Sequence, residues 1–339
     1  MSDPRLSKLA LGCYPLGGGY GELDLDTARA TVDAALDASW TFFDTAEGYL
    51  DSEVRLGRFL SGRRDQVFLA TKVFPNEPYT YENMRVSLNN SLRKLRTDRI
   101  DLLQLHGPPD WVITFDDAPS MAEVGESLAR LVESGDVLNV GVCNLPVSLM
   151  EELSTTVSLF STQNLWSLYD QMGTDDGIHL PVGESIIPWS RENGVHVFAF
   201  SPLARGLLAD GLSPDRTFPT HDERFYLPRF QPDVYPEWAR LSNRLEGWAR
   251  DHDRSLVQLA VAWTLATPGV TSTLIGAKTP RHIEAMAGAE DWELSESDLQ
   301  EIDGIIATLP ARAAAALSIV WDHFPEEAVR AMADRRHGR

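Results

Sequence analysis

Short runs rich in β-branched and aromatic residues alternate along this chain with longer stretches whose apolar positions recur at helical spacing. The strand-like runs are LALG (Leu9 to Gly12), TFFD (Thr41 to Asp44), VFLATK (Val67 to Lys72) and IDLLQLH (Ile100 to His106). They continue with VLNVGV (Val137 to Val142), LFSTQN (Leu159 to Asn164), VHVFAF (Val195 to Phe200) and STLIG (Ser272 to Gly276). Between them the spacing predicts helices over Asp26 to Ser39, Ser52 to Leu60, Tyr81 to Leu95, Ala122 to Ser134 and Ser255 to Ala266. Several of these are entered through Asp, Ser or Thr, whose side-chain oxygens can accept from the free amides of a first helical turn. Eight strands alternating with helices predict an α/β fold, a (β/α)8 TIM barrel rather than a doubly wound sheet. No repeat, low-complexity tract or linker divides the chain. Residues 1–339 therefore read as one barrel domain, with the barrel at about 9–290 and a C-terminal helix and tail at about 295–339. Two segments break the rhythm. Leu207 to Pro236 is too long for an ordinary connection and reads as a functional loop. The tail from about Pro310, with Trp321, His323 and Phe324, reads either as a cover for a barrel end or as a frayed terminus.

Composition narrows the function classes. The chain has 339 residues, 43% of them hydrophobic and 24% charged, as in globular proteins. It has no apolar run near the roughly 20 residues of a membrane span. The N-terminus MSDPRLSKLALG carries no leader-like apolar segment, and Cys13 and Cys143 form no metal or redox spacing. A reduced, cytoplasmic location without a structural metal is the expectation. A formal charge of −20 argues against nucleic acid and anionic membranes as partners. A phosphorylated small ligand would need a local basic pocket. Without heptads or an evident interface pattern, a monomer is the default.

Candidate chemistry lies at the strand ends, because polar groups at the C-terminal ends of barrel strands face the active site. Asp44, Lys72, His106, Asn144, Gln163 and Ser201 all stand at or just after such ends. Tyr49 follows Asp44 by five residues and can fold back over the mouth. An ammonium at Lys72, paired with Asp44, would lower the Tyr49 pKa from about 10 toward neutrality and make the phenol a usable acid or base. His106 could polarise a substrate oxygen. These groups suit proton donation to a carbonyl oxygen, and the hydride must come from a cofactor. A retaining glycosidase would need a second carboxylate about 5 Å away, where Phe200 and Ser201 stand instead. A metal-dependent hydrolase would need clustered ligands, and this rim has one His and a repelling Lys.

The motifs FFDTAEGY, LATKV, DLLQLHGPPD, GVCN, TQNLWSLYD, FAFSPLARGLL and TLIGAKTPRHIEA, in this order, resemble the aldo-keto reductase family. The resemblance implies a catalytic tetrad of Asp44, Tyr49, Lys72 and His106. It also implies an NADP(H) site. Cys143, Asn144 and Gln163 would hold the carboxamide, and Phe200 would stack on the nicotinamide. Ser201, Pro202, Leu203, Arg205 and Gly206 would wrap the pyrophosphate. Gly276, Ala277, Lys278, Thr279 and His282 would meet the adenosine end, with Lys278 and Thr279 at the 2′-phosphate. That segment would be the basic pocket the acidic chain requires. Three departures stand out: Cys143 replaces the family's Ser, Phe200 its Tyr, and Ala285–Met286 a common Glu–Asn pair. The implied activity is reversible NADPH-dependent reduction of an aldehyde or ketone. The alternative is a nucleotide-binding regulatory subunit of the same fold with little turnover. LGGGYG (Leu16 to Gly21) lacks the dinucleotide fingerprint and reads as a flexible loop near the mouth. His196 reads as a packed strand residue. Trp111 and Trp166 read as pocket walls or core.

Overall fold

The computed structural model describes residues 3–109, 114–171, 179–220 and 222–317. Eight strands form: β1 (Leu9–Gly12), β2 (Phe42–Asp44), β3 (Phe68–Val73), β4 (Leu102–Leu105), β5 (Val140–Cys143), β6 (Ser161–Leu165), β7 (His196–Phe200) and β8 (Val270–Gly276). They close in chain order into one parallel barrel, β8 returning to β1 with Gly276 beside Gly12. The structure thus has the (β/α)8 architecture that the alternation predicts.

Alternation of side chains along each strand sorts the barrel into an inner and an outer core. Ala10, Phe42, Phe68, Ala70, Leu102, Phe198 and Leu274 fill the interior as one apolar cluster. Phe42 meets Phe68 edge-on at 5.4 Å and Phe198 at a tilt at 4.9 Å. The larger cluster, including Leu11, Phe43, Leu69, Leu103, Val142 and Val197, packs the outer strand faces under the helices. The period of two has a direct consequence for chemistry. Counting up the inner face from the aromatic plug, Phe42 leads to Asp44, Phe68 and Ala70 to Lys72, Leu102 to Gln104, and Phe198 to Phe200. The apolar floor and the polar rim are successive residues of the same inward face.

Local chemistry starts the helices where the sequence predicts. Asp24 caps Leu25–Asp37 and Thr80 caps Tyr81–Leu95. Reciprocal side-chain and main-chain bonds begin Met121–Glu133 at Ser120 and Leu256–Ala266 at Ser255. Strands β4 and β5 are shorter and shifted relative to the expected runs, with Ile100 and Val137 forming only an isolated bridge. Beside this end of β4 the fully buried Asp101 donates its main-chain N–H to the Leu69 carbonyl (3.0 Å), and its carboxylate accepts from Leu69 N (2.9 Å) and pairs with Arg5 at 2.8 Å and Arg64 at 2.6 Å.

The expected loop from Leu207 to Pro236 is mostly irregular, with short turns at Glu223–Tyr226 and Pro228–Phe230, and gives way at Tyr235 to the helix Tyr235–Asp251. Beyond the barrel lie Glu296–Ile306 and Ala311–Ala314. Arg229 holds the start of the tail by donating to the Ala316 carbonyl (2.9 Å), while its guanidinium pairs with buried Asp170 at 2.7 Å. Trp111, Trp321, His323 and Phe324 lie outside the described residues. Among the described residues, no helix is long and apolar enough to cross a membrane.

Candidate active site

Strands β2 and β3 are neighbours, with Asp44 paired to Ala70, and Lys72 stands one inward step beyond Ala70 with its ammonium against the acid. Lys72 Nζ lies 2.5 Å from Asp44 Oδ2, 2.9 Å from the Thr45 carbonyl and 3.3 Å from Tyr49 Oη. The lysine side chain has no exposed surface, and an ion pair so buried requires further hydrogen bonds to offset lost hydration. Asp44 Oδ1 supplies them, accepting from Gln104 Nε2 (3.1 Å) and Gln163 Nε2 (2.9 Å). The acid therefore ties together β2, β3, β4 and β6. Gln104 was not among the residues singled out from the sequence. Its signal is the inward alternation of β4, two residues before His106.

Tyr49 stands on the turn after β2, and the segment Tyr14 to Gly21 covers it. A Cβ on Gly17 would sit 2.0 Å from the Tyr49 carbonyl oxygen, so only glycine allows that approach. The Tyr49 ring meets Tyr14 edge-on at 5.1 Å and His106 at 5.5 Å, and Phe74 backs the His106 ring at 5.5 Å. The electrostatics correct one expectation. Burial pushes the Tyr49 hydroxyl up to about 12; the Lys72 ammonium pulls against this and Asp44 adds to it. The neutral range expected from Lys72 alone is not reached, because desolvation of the phenolate outweighs the one ammonium. For Lys72 itself, burial opposes the charge, but Asp44 holds the proton well above the usual lysine range. Burial likewise pushes the Cys143 thiol up to about 12, so it is a neutral, weak hydrogen-bonding group.

These residues line one end of a cavity of about 570 Å³ in the barrel mouth. Asp44, Tyr49, His106, Cys143, Asn144 and Gln163 reach its wall, and Lys72 lies buried beneath it. Cys143 Sγ is 3.6 Å from Gln163 Oε1 and 3.3 Å from Asn144 Nδ2. Asn144, in the left-handed region at φ 54°, leaves its Oδ1 buried with no hydrogen-bond partner among the described residues. Phe200 ends the inner face of β7, and Ser201, Pro202, Leu203, Arg205 and Gly206 continue along the wall. Positive φ at Ser201, Ala204 and Arg205 makes this a tight concave turn. At the far end lie Gly276, Lys278 and His282, with Ala285 and Met286 beside them. Lys278 donates to the Tyr20 carbonyl, and its pKa is lowered by burial and by the nearby Arg224 cation. Ala277, fully buried, and Thr279 are not part of the cavity wall. Thr279 precedes the helix Pro280–Glu284 as its N-cap and makes no side-chain capping bond.

The long segment after β7 returns to the cavity through Glu223, Arg224 and Arg216. Glu223 pairs with Arg205 and accepts from Tyr14 Oη at 3.2 Å, joining the two loops across the mouth. No local pattern signals a contact between residues 209 apart. His196 begins β7 at the opposite end of the barrel, tilted against Phe160 at 4.7 Å. Trp166 belongs to the core, stacked on Trp263 at 5.8 Å with Nε1 donating to Thr267. Among the described residues, no group of acids, histidines and cysteines is arranged to hold a metal.

Such a rim has known relatives. Aldo-keto reductase YhdN of Bacillus subtilis is 31% identical over 313 residues, covering 88% of this chain and 90% of that protein. Aldo-keto reductase yakc [NADP(+)] of Schizosaccharomyces pombe is 26% identical over 319 residues, covering 89% of each. Among solved structures, the glycerol dehydrogenase AKR11B4 from Gluconobacter oxydans superposes with a TM-score of 0.77 at 27% identity, over 90% of this chain and 92% of that one. An aldo-keto reductase from Klebsiella pneumoniae in complex with NADPH gives 0.70 at 25% identity, over 93% and 95%. The Aldo/keto reductase family profile matches residues 8–307, and the chain belongs to that family.

Proposed function

We propose that this protein is an NADPH-dependent reductase that reversibly converts a small aldehyde or ketone to the alcohol, with Tyr49 as the proton donor. The observation that carries the reading is the buried Asp44–Lys72 pair at 2.5 Å with Tyr49 Oη 3.3 Å from the same ammonium, all at the wall or floor of one cavity.

The cavity fits a nicotinamide dinucleotide. Asn144 Oδ1, on the cavity wall, is a buried acceptor without a partner among the described residues, suited to an amide N–H of the carboxamide. Phe200 offers a ring face, and Arg205 with the tight turn from Ser201 offers donors to phosphate. Lys278 and Arg224 are neighbouring cations whose mutual repulsion a 2′-phosphate would relieve. When bound, the reduced nicotinamide supplies the hydride to the carbonyl carbon.

The chain's own residues handle the proton. Tyr49, at about 12, stays protonated through the neutral range and can donate to the oxygen as negative charge develops there. Lys72 stabilises the phenolate left behind, and Asp44 keeps the lysine charged and fixed. His106, facing Tyr49, orients the carbonyl oxygen. Gln104 and Gln163 hold Asp44 so that none of these groups drifts.

The test is NADPH oxidation with a panel of aldehydes and ketones. Tyr49→Phe is expected to lower kcat by about 10²–10⁴-fold while the NADPH Kd changes less than about twofold. Tight NADPH binding with no turnover on any substrate would support the regulatory-subunit alternative. Retention of most activity in Tyr49→Phe would remove the tyrosine from its role.

A further inference from the structure

Between Asp44 and Tyr49 the chain carries an acid that the reaction leaves without a task. Glu47 donates its main-chain N–H to the Lys72 carbonyl at 3.3 Å, and its Oε1 accepts from the Phe74 N–H at 2.6 Å. One residue thus joins the turn that bears Tyr49 to the strand end that bears Lys72, bonding on both sides of Val73. Phe74 carries the connection further, since its ring backs His106 at 5.5 Å and lines the cavity. The same turn also meets Lys72 directly, its ammonium donating to the Thr45 carbonyl at 2.9 Å and to Tyr49 Oη at 3.3 Å.

The groups around the Glu47 carboxyl come from three elements. Glu53, on the helix Ser52–Phe59, is 1% exposed, accepts from Thr71 Oγ1 of β3 at 2.7 Å and faces Lys94 at 3.5 Å. Ser87 of the helix Tyr81–Leu95 hydrogen-bonds to Glu47, and Lys94 of the same helix supplies a nearby positive charge. Tyr79, whose phenol burial pushes up first and Glu47 second, stays neutral. Burial raises the Glu47 carboxyl most and the like charge of Glu53 adds to it; the Phe74, Ser87 and Lys94 contacts pull it back only as far as about 7.

We propose that Glu47 is a positioning residue: by accepting the Phe74 N–H its carboxylate sets the spacing of Tyr49 and Lys72, and a proton on that carboxylate loosens the setting. An ionised acceptor makes the shorter, stronger bond, so the turn is held tightly above the midpoint and loosely below it. The effect on rate rests on the reductase reading; the effect on spacing does not.

The experiment therefore reads both. In protein labelled with [ζ-13C]tyrosine, with the Tyr49 signal assigned by its loss in Tyr49→Phe, that signal is expected to shift with a midpoint near pH 7. In Glu47→Gln, which keeps an acceptor but cannot ionise, it is expected to stay still. In turnover, wild-type kcat should fall as pH drops through the same midpoint, and Glu47→Gln should remove that step. Glu47→Ala should lose about 10–100-fold in kcat at every pH, with KM and NADPH affinity within about twofold, and Gln should recover most of that loss. A Tyr49 signal that does not move in the wild type, or moves equally in Glu47→Gln, overturns the proposal, and this readout needs no Ala variant to fold. A signal that behaves as expected in a protein that turns over no carbonyl keeps the positioning role and removes the reductase reading.

Discussion

Replacing Lys72 by methionine removes one charge from the centre of the site with little change in volume. At the 3.3 Å separating Nζ from Tyr49 Oη, an ammonium and a full phenolate charge attract by about 5 kcal/mol at an effective dielectric of 20. Two factors reduce what the transition state gains. The phenolate charge is only partly formed, and Asp44, 2.5 Å from the same ammonium, offsets part of its field. Taking roughly half, about 2–3 kcal/mol, the loss in kcat/KM for carbonyl reduction is on the order of 30–150-fold. The substitution also leaves Asp44 buried with only its Gln104 and Gln163 donors, and removing one partner of a buried pair costs about 3–5 kcal/mol, so the melting temperature should drop on the order of 10 °C. Steady-state reduction at a temperature well below that midpoint, with NADPH affinity from quenching of protein fluorescence, separates the two effects. A kcat/KM within threefold of wild type in a folded variant that binds NADPH would refute the idea that Lys72 stabilises the Tyr49 phenolate.

Two other outcomes follow from the same geometry. Lys278→Ala should weaken NADPH by about 10–100-fold, the value of a charge-assisted contact to phosphate, and leave NADH within about twofold; equal loss for both, by titration calorimetry, would separate Lys278 from the 2′-phosphate. Alcohol oxidation needs the Tyr49 phenolate, and with the hydroxyl raised to about 12 its rate should climb with pH across the range of 7 to 9.5, whereas Tyr49-dependent donation in reduction should not fall there. A pH-independent oxidation rate would contradict the raised hydroxyl.

Much of this molecule was legible one residue at a time. The period of two that makes Phe42, Phe68 and Leu102 an inner floor also makes Asp44, Lys72 and Gln104 an inner rim, and that regularity is local to each strand. It was enough to expect the barrel and to expect Asp44 beside Lys72. The same logic contained Gln104, overlooked because a glutamine inside an apolar run draws less notice than the histidine after it. Thr279, which the family resemblance puts beside Lys278 at the 2′-phosphate, stands at the N-cap of the helix Pro280–Glu284, while Lys278 lines the cavity.

What the chain determined by itself was the order of strands, the faces on which their side chains lie and the chemical types brought to the rim, because these depend on backbone geometry and on neighbours two to four residues away. What only the folded structure decided was the strength of those groups and the closing of the mouth. The Tyr49 hydroxyl rises instead of falling because burial outweighs the pull of the Lys72 ammonium, and Glu47 moves toward neutrality because burial and the like charge of Glu53 act on it together. The contact of Tyr14 with Glu223 joins residues 209 apart. Desolvation and long-range contact are properties of the packed whole, so no window along the sequence contains them.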